Sequence, residues 1–179
     1  MLLKVKKLEL KTCRLLSKLP IFFISGVLLF VFIFPNFLWA KVDLVQVVEK
    51  LQYPWAIDFL PRNEALVTEK PGRMQKVNLE TGEKTEIQNL PEVHAVGQGG
   101  LLDLMVHPDF KQNQKIFLTF SAPLNASGDA TTTLISARLE GQQLSDQKIL
   151  FQADPALPGG HHFGSRVRMA QDGMLFFSV

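Results

Sequence analysis

The chain has 179 residues, of which 46% are hydrophobic and 20% charged, with 19 Lys+Arg against 17 Asp+Glu and a formal net charge of +2. That balance is ordinary for a globular protein and excludes a disordered, collagen-like or disulfide-rich chain. The single cysteine is Cys13, so nothing after it can form a disulfide, a thiolate zinc site or a cysteine nucleophile.

The first forty residues differ in kind from the rest. Lys4, Lys6, Lys7, Lys11, Arg14 and Lys18 face one acid, Glu9, and Ile21–Phe34 then runs uncharged as IFFISGVLLFVFIF. A basic start, an apolar run and a small residue soon after it (Ala40) predict a secretory signal over residues 1–40, cleaved near Lys41. The alternative is an uncleaved membrane anchor. The apolar run is short for a span of ~20 residues, but Phe37, Leu38 and Trp39 extend it past Pro35. Either way the product is expected to be exported, to the periplasm or the cell surface, touching membrane only through this segment. Residues 1–40 hold six of the 19 basic and one of the 17 acidic residues, which leaves 13 basic against 16 acidic in residues 41–179. The positive excess therefore belongs to the leader, and no basic patch points to nucleic acid.

From Val42 onward, clusters of β-branched and aromatic residues are bounded by Gly, Pro, Asn and Asp, which predicts short strands and no helix. In chain order the strands are 56–60, 65–69, 73–79, 101–106, 115–120, 132–139 and 174–179, with a hairpin turn at Glu80-Thr81-Gly82-Glu83. Three segments share one plan of strand, polar turn and strand: IDFLPRNEALVTE (57–69), LMVHPDFKQNQKIFLTF (104–120) and VRMAQDGMLFFSV (167–179). Leu60, His107 and Ala170 occupy equivalent places in them. An all-strand repeat of this period predicts an all-β fold of β-propeller type with four-stranded blades, a β-sandwich being the alternative. Residues 41–179 suffice for about three blades, whereas closed propellers use ~4–8. The expectation is an incomplete propeller domain over 41–179, a fragment inactive by itself.

Two segments concentrate polar groups and glycines directly before a strand: HAVGQGGLLDLMVHPDF (94–110) and GGHHFGSRVR (159–168). The first strand of a blade lies nearest the axis, so residues at successive strand entrances converge on one mouth of the channel. Gln98 and His162 hold comparable entrances. Gly97, Gly99 and Gly100 lack the Lys-Ser/Thr of a phosphate loop, and no Gly-x-Ser-x-Gly or zinc-ligand spacing occurs. Asp103 reads as a turn or core hydrogen-bonding group before a cation ligand, His107 as a turn residue and His94 as a loop residue. Arg166 and Arg168 alternate along a strand and suit pairing with acids. His161 and His162 are adjacent in a chain that reads as extended, so they are expected on opposite faces rather than on one metal.

GQGGLLDLMVHPDF and HFGSR in this order, with PWAIDFLP (54–61) upstream and DGMLFFSV (172–179) at the end, resemble the soluble pyrroloquinoline-quinone sugar dehydrogenases, the glucose/sorbosone dehydrogenase family. The resemblance covers about residues 50–179. It implies a six-bladed propeller that oxidises the C1 hydroxyl of aldoses to the lactone, with hydride transfer to pyrroloquinoline quinone, a calcium requirement and an external electron acceptor. It makes His162 the catalytic base and places Gln98, His161 and Arg166 beside substrate or quinone. The quinone-holding cations and the calcium ligands fall in later blades, so no metal ligand is assigned here. Two departures stand out: His161 replaces the usual Asn or Asp before the base, and Gly164-Ser165-Arg166 replaces Gly-Gly-Arg or Ser-Gly-Arg. A calcium-dependent propeller lactonase and a non-catalytic surface-binding propeller are the competing functions.

Overall fold

The computed structural model describes residues 2–6, 43–125, 128–155 and 160–179. The apolar run 21–34 and the cleavage region expected near Lys41 lie outside the described residues. The chain divides into two compact units, one of residues 1–2 and 46–179 and the other of residues 3–45. Leu2–Lys6 (β1) and Asp43–Val48 (β2) form a two-stranded sheet. Among the described residues no helix is long and apolar enough to cross a membrane.

Residues 46–179 are built of antiparallel meanders. Pro54–Leu60 (β3), Glu64–Glu69 (β4), Arg73–Asn78 (β5) and Lys84–Glu86 (β6) make one four-stranded sheet in sequential order. Leu101–Val106 (β7), Lys115–Pro123 (β8), Ala130–Glu140 (β9) and Gln143–Gln152 (β10) make a second. Val167–Met169 (β11) and Leu175–Phe177 (β12) open a third, of two strands. This is the blade repeat of a β-propeller, with two whole blades and the first hairpin of another. The hairpin turn at residues 80–83 is present: Asn78 Oδ1 accepts the N–H groups of Glu80 and Thr81, and Gly82 takes a left-handed φ of +75°.

The sequence predicts no helix, but Phe110–Asn113 (α1) forms one turn between β7 and β8. Asp109 O receives the N–H groups of Gln112 and Asn113, and Gln114 ends the turn in the left-handed region at φ +54°. A single turn has no apolar periodicity to read. His107 stabilises this corner, as a turn residue should: its Nδ1 accepts the N–H of Asp109 at 2.9 Å, and its ring stacks on Phe117.

The blades are joined face to face by apolar packing. Leu60, Leu66, Met74 and Ile87 of the first blade share a buried cluster with Leu101, Leu104, Ile116, Leu118 and Ile135 of the second. Met105, Phe117 and Leu134 then pack on Val167 of the third. Each such side chain contributes roughly 1.5–3 kcal/mol on burial. Residues 65–69 of β4 are all buried: Leu66 packs toward the second blade, and Val67 on the other face packs with Val48 and Val77 against Leu51.

Polar bridges between blades repeat as the sheets do. Thr68 Oγ1 (β4) accepts the N–H of Ala56 and donates to Leu102 O of the next blade at 2.6 Å. One blade on, Thr119 Oγ1 (β8) accepts the N–H of Asp103 and donates to Ser165 O at 2.7 Å. Asp58 Oδ2 accepts Val106 N–H at 2.7 Å, and Asp103 Oδ2 accepts Val167 N–H at 2.8 Å. These links bind the innermost strands β3, β7 and β11 to one another, so their entrances lie together.

Candidate active site

The loop before β7 and the segment before β11 meet at the blade entrances. Gly97 takes φ +58°, and a Cβ there would lie 2.5 Å from Gly160 O. Gln98 donates its backbone N–H to that same Gly160 oxygen at 2.7 Å. Its side-chain Oε1 accepts the backbone N–H of His162 at 3.1 Å. The two residues assigned to comparable entrances are therefore brought together, although 64 positions separate them.

Glycine is required on the first loop for a physical reason. Gly100 has φ +142° and its α-carbon faces Lys70 O, which receives Leu101 N–H at 3.0 Å. Lys70 also donates through Nζ to Gly97 O. The loop is pinned from the other side by Ser121, whose Oγ accepts Gly100 N–H at 2.7 Å and donates to His94 O at 2.7 Å. His94 thus serves the loop through its backbone.

The segment 162–168 alternates strictly between exposed and buried residues. Phe163 is buried in a cluster with Leu102 and Ala130, and Thr132 Oγ1 donates to Phe163 O at 2.8 Å. Ser165 and Val167 are buried, while His162, Gly164, Arg166 and Arg168 are exposed. Left-handed φ values at His162 (+65°), Gly164 (+54°) and Ser165 (+107°) twist the path. That twist overturns the expectation that His161 and His162 diverge to opposite faces. Both are exposed, and their rings lie 6.2 Å apart, inclined by 59°. Among the described residues no group of three His, Cys, Asp or Glu is placed to hold a metal.

Of the turn and core readings of Asp103, the structure shows the core one. The residue is 2% exposed, and its oxygens meet Val167 N–H, Arg168 Nη1 at 3.4 Å and Arg166 Nη1 at 3.6 Å. Arg166 keeps a side chain that is 67% exposed, so its ion pair leaves most of the guanidinium open. Gln98, His161, His162 and Arg166 are accordingly all exposed at or beside the junction of the two segments. Lys70, Thr119 and Thr132 were not legible as site residues. For the threonines a signal exists: hydroxyls in KIFLTFSAP and ATTTLIS interrupt buried strands, and buried hydroxyls need partners.

Comparison with known proteins covers the segment in which these residues lie. The family model described as Glucose / Sorbosone dehydrogenase matches residues 51–179. The aldose sugar dehydrogenase YliI of Escherichia coli is 35% identical over 148 residues, covering 79% of this chain and 40% of that protein. Quinoprotein glucose dehydrogenase B of Acinetobacter calcoaceticus is 31% identical over 109 residues, 58% of this chain and 23% of that one. The structure of the PQQ-bound aldose sugar dehydrogenase from Streptomyces coelicolor superposes with a TM-score of 0.61 at 28% identity, over 72% of this chain and 38% of that one. The chain spans well under half the length of the curated relatives it matches.

Proposed function

Because the chain belongs to the glucose/sorbosone dehydrogenase family, we propose that the full-length protein oxidises the C1 hydroxyl of an aldose to the lactone, with His162 as general base. The observation that carries this reading is the meeting of two blade entrances, where Gln98 Oε1 takes the His162 N–H at 3.1 Å. That bond fixes the main chain of His162 and leaves its exposed imidazole for substrate. Removing hydride from C1 requires that the hydroxyl on the same carbon lose its proton. An imidazole nitrogen carrying a free lone pair can accept that proton. Gln98 and His161 supply further hydrogen-bonding groups for sugar hydroxyls.

The hydride acceptor in this reading is pyrroloquinoline quinone, which, when bound, takes the hydride from C1. The residues present fit an anionic quinone. Arg166 and Arg168 share the single carboxylate of Asp103, so two guanidiniums face one negative charge and this edge keeps a positive excess. We place the remaining quinone contacts and the calcium ligands in parts of the full-length protein beyond these residues, and the electrons leave to an external acceptor.

Steady-state kinetics on quinone-loaded, full-length protein test the assignment. A positioned general base is worth ~10²–10⁴ in rate, so His162→Ala should lower kcat by about that factor while quinone binding persists. His161→Ala should act mainly on the KM for sugar. Near-normal turnover in His162→Ala with loss in His161→Ala moves the base to the other histidine, and full activity in both ends the reading. We further propose export by residues 1–40. Cell fractionation should find the protein outside the cytosol, and a Met1-bearing product retained in the cytosol overturns it.

A further inference from the structure

We propose that Asp103 is the positioning residue for His162. It anchors the segment that carries the base and does not touch substrate. This rests on the reading of His162 as the base. Asp103 sits on β7 in the second blade, yet each hydrogen bond or ion pair of its carboxylate goes to β11 or the residue before it in the third. A buried carboxylate is costly unless its oxygens are met by donors. Here one amide and two guanidiniums meet them, all within Arg166–Arg168.

The anchoring is one of three ties on alternate residues of one short segment. Thr132 holds Phe163 O, Thr119 holds Ser165 O, and Asp103 holds Val167 N–H. Thr119 Oγ1 is itself the acceptor for Asp103 N–H, so two of the ties are joined by a hydrogen bond. Three consecutive inward residues are thereby fastened to the second blade. That blade also carries, at the entrance to β7, the Gln98 that holds His162. His162 takes a left-handed backbone, a conformation that costs about 1–2 kcal/mol for a residue with a Cβ. It persists where the surroundings over-determine it, and the three ties supply that determination on the C-terminal side.

The test uses full-length, quinone-loaded protein at a temperature where each variant is folded. Asp103→Ala should lower kcat about 10- to 100-fold and leave the KM for sugar within about threefold, because misplacing a catalytic group by an ångström costs on this order. Asp103→Asn, whose Oδ1 can still accept the Val167 N–H, should recover at least tenfold of a hundredfold loss. Hydrogen exchange followed by mass spectrometry should show residues 160–168 exchanging at least tenfold faster in Asp103→Ala, with residues 101–120 still protected. A lowered melting temperature with unchanged kcat and unchanged exchange in 160–168 overturns the proposal. If Asp103→Ala does not fold, Asp103→Asn and Thr119→Val are judged on the same two readouts. If His162→Ala keeps full turnover, the base assignment fails by itself, and the exchange of 160–168 still decides whether Asp103 holds the segment.

Discussion

Single residues with the same backbone conformation bear unequal constraints. Gly97 and Gly141 both take left-handed backbone, at φ +58° and +65°. A Cβ at Gly97 would reach Gly160 O at 2.5 Å, whereas nothing lies within 4 Å of one at Gly141. Alanine at either position meets a conformational penalty of about 1–2 kcal/mol. Only Gly97→Ala must also push the two loops apart. In the full-length protein the denaturation midpoint of Gly97→Ala should therefore fall further than that of Gly141→Ala, and under the proposed function its kcat should fall as well, while Gly141→Ala keeps its turnover. Equal midpoints would show that the close approach of Gly97 to Gly160 carries no cost.

At the scale of strands and their links, the repeated threonine bridge makes a separate prediction. Thr68→Val keeps shape but removes the donor to Leu102 O and the acceptor for Ala56 N–H. Leaving such buried groups unmet costs about 1–3 kcal/mol. Thermal or denaturant unfolding of full-length protein should show that loss with kcat unchanged, since Thr68 does not hold the His162 segment. How far these elements were readable depended on their position in a blade. β3, β4, β7 and β8 were legible because long apolar runs end at Gly, Pro or Asn. β10 was not, because most of its residues face solvent and SDQKILFQ reads as a polar loop with three apolar residues in it. β6 has only Lys84–Glu86 and is set by pairing with β5 rather than by its own residues. The meeting of Gln98 with His162 was legible from their glycine-rich settings before strands. Lys70 was not, because a lysine before Pro-Gly looks like any turn. The backbone twist at residues 162–165 left no trace either, since positive φ at a histidine and a serine has no compositional signature.

Across residues 43–179, much apolar surface at the two ends of the blade row is uncovered. On β3, Trp55 is 49% and Phe59 is 61% exposed, and Ile57 between them is partly open. Phe176 on β12 is open in the same way. Contiguous apolar surface of this kind drives association, and unpaired strand edges add to it. Residues 43–179 produced alone should therefore self-associate in sedimentation velocity, and a Trp55→Lys, Phe59→Lys pair should reduce it. A monodisperse monomer at high concentration would refute this. The bond between Gln98 and His162 has a temporal meaning too. Within each blade the strands pair with their sequence neighbours, so a blade can form from local contacts soon after its residues are available. The site cannot, because its two sides belong to neighbouring blades and meet only when those blades dock. The junction of Gln98 with His162 is thus among the last features to form as the chain folds, and among the first to be lost when the blades part.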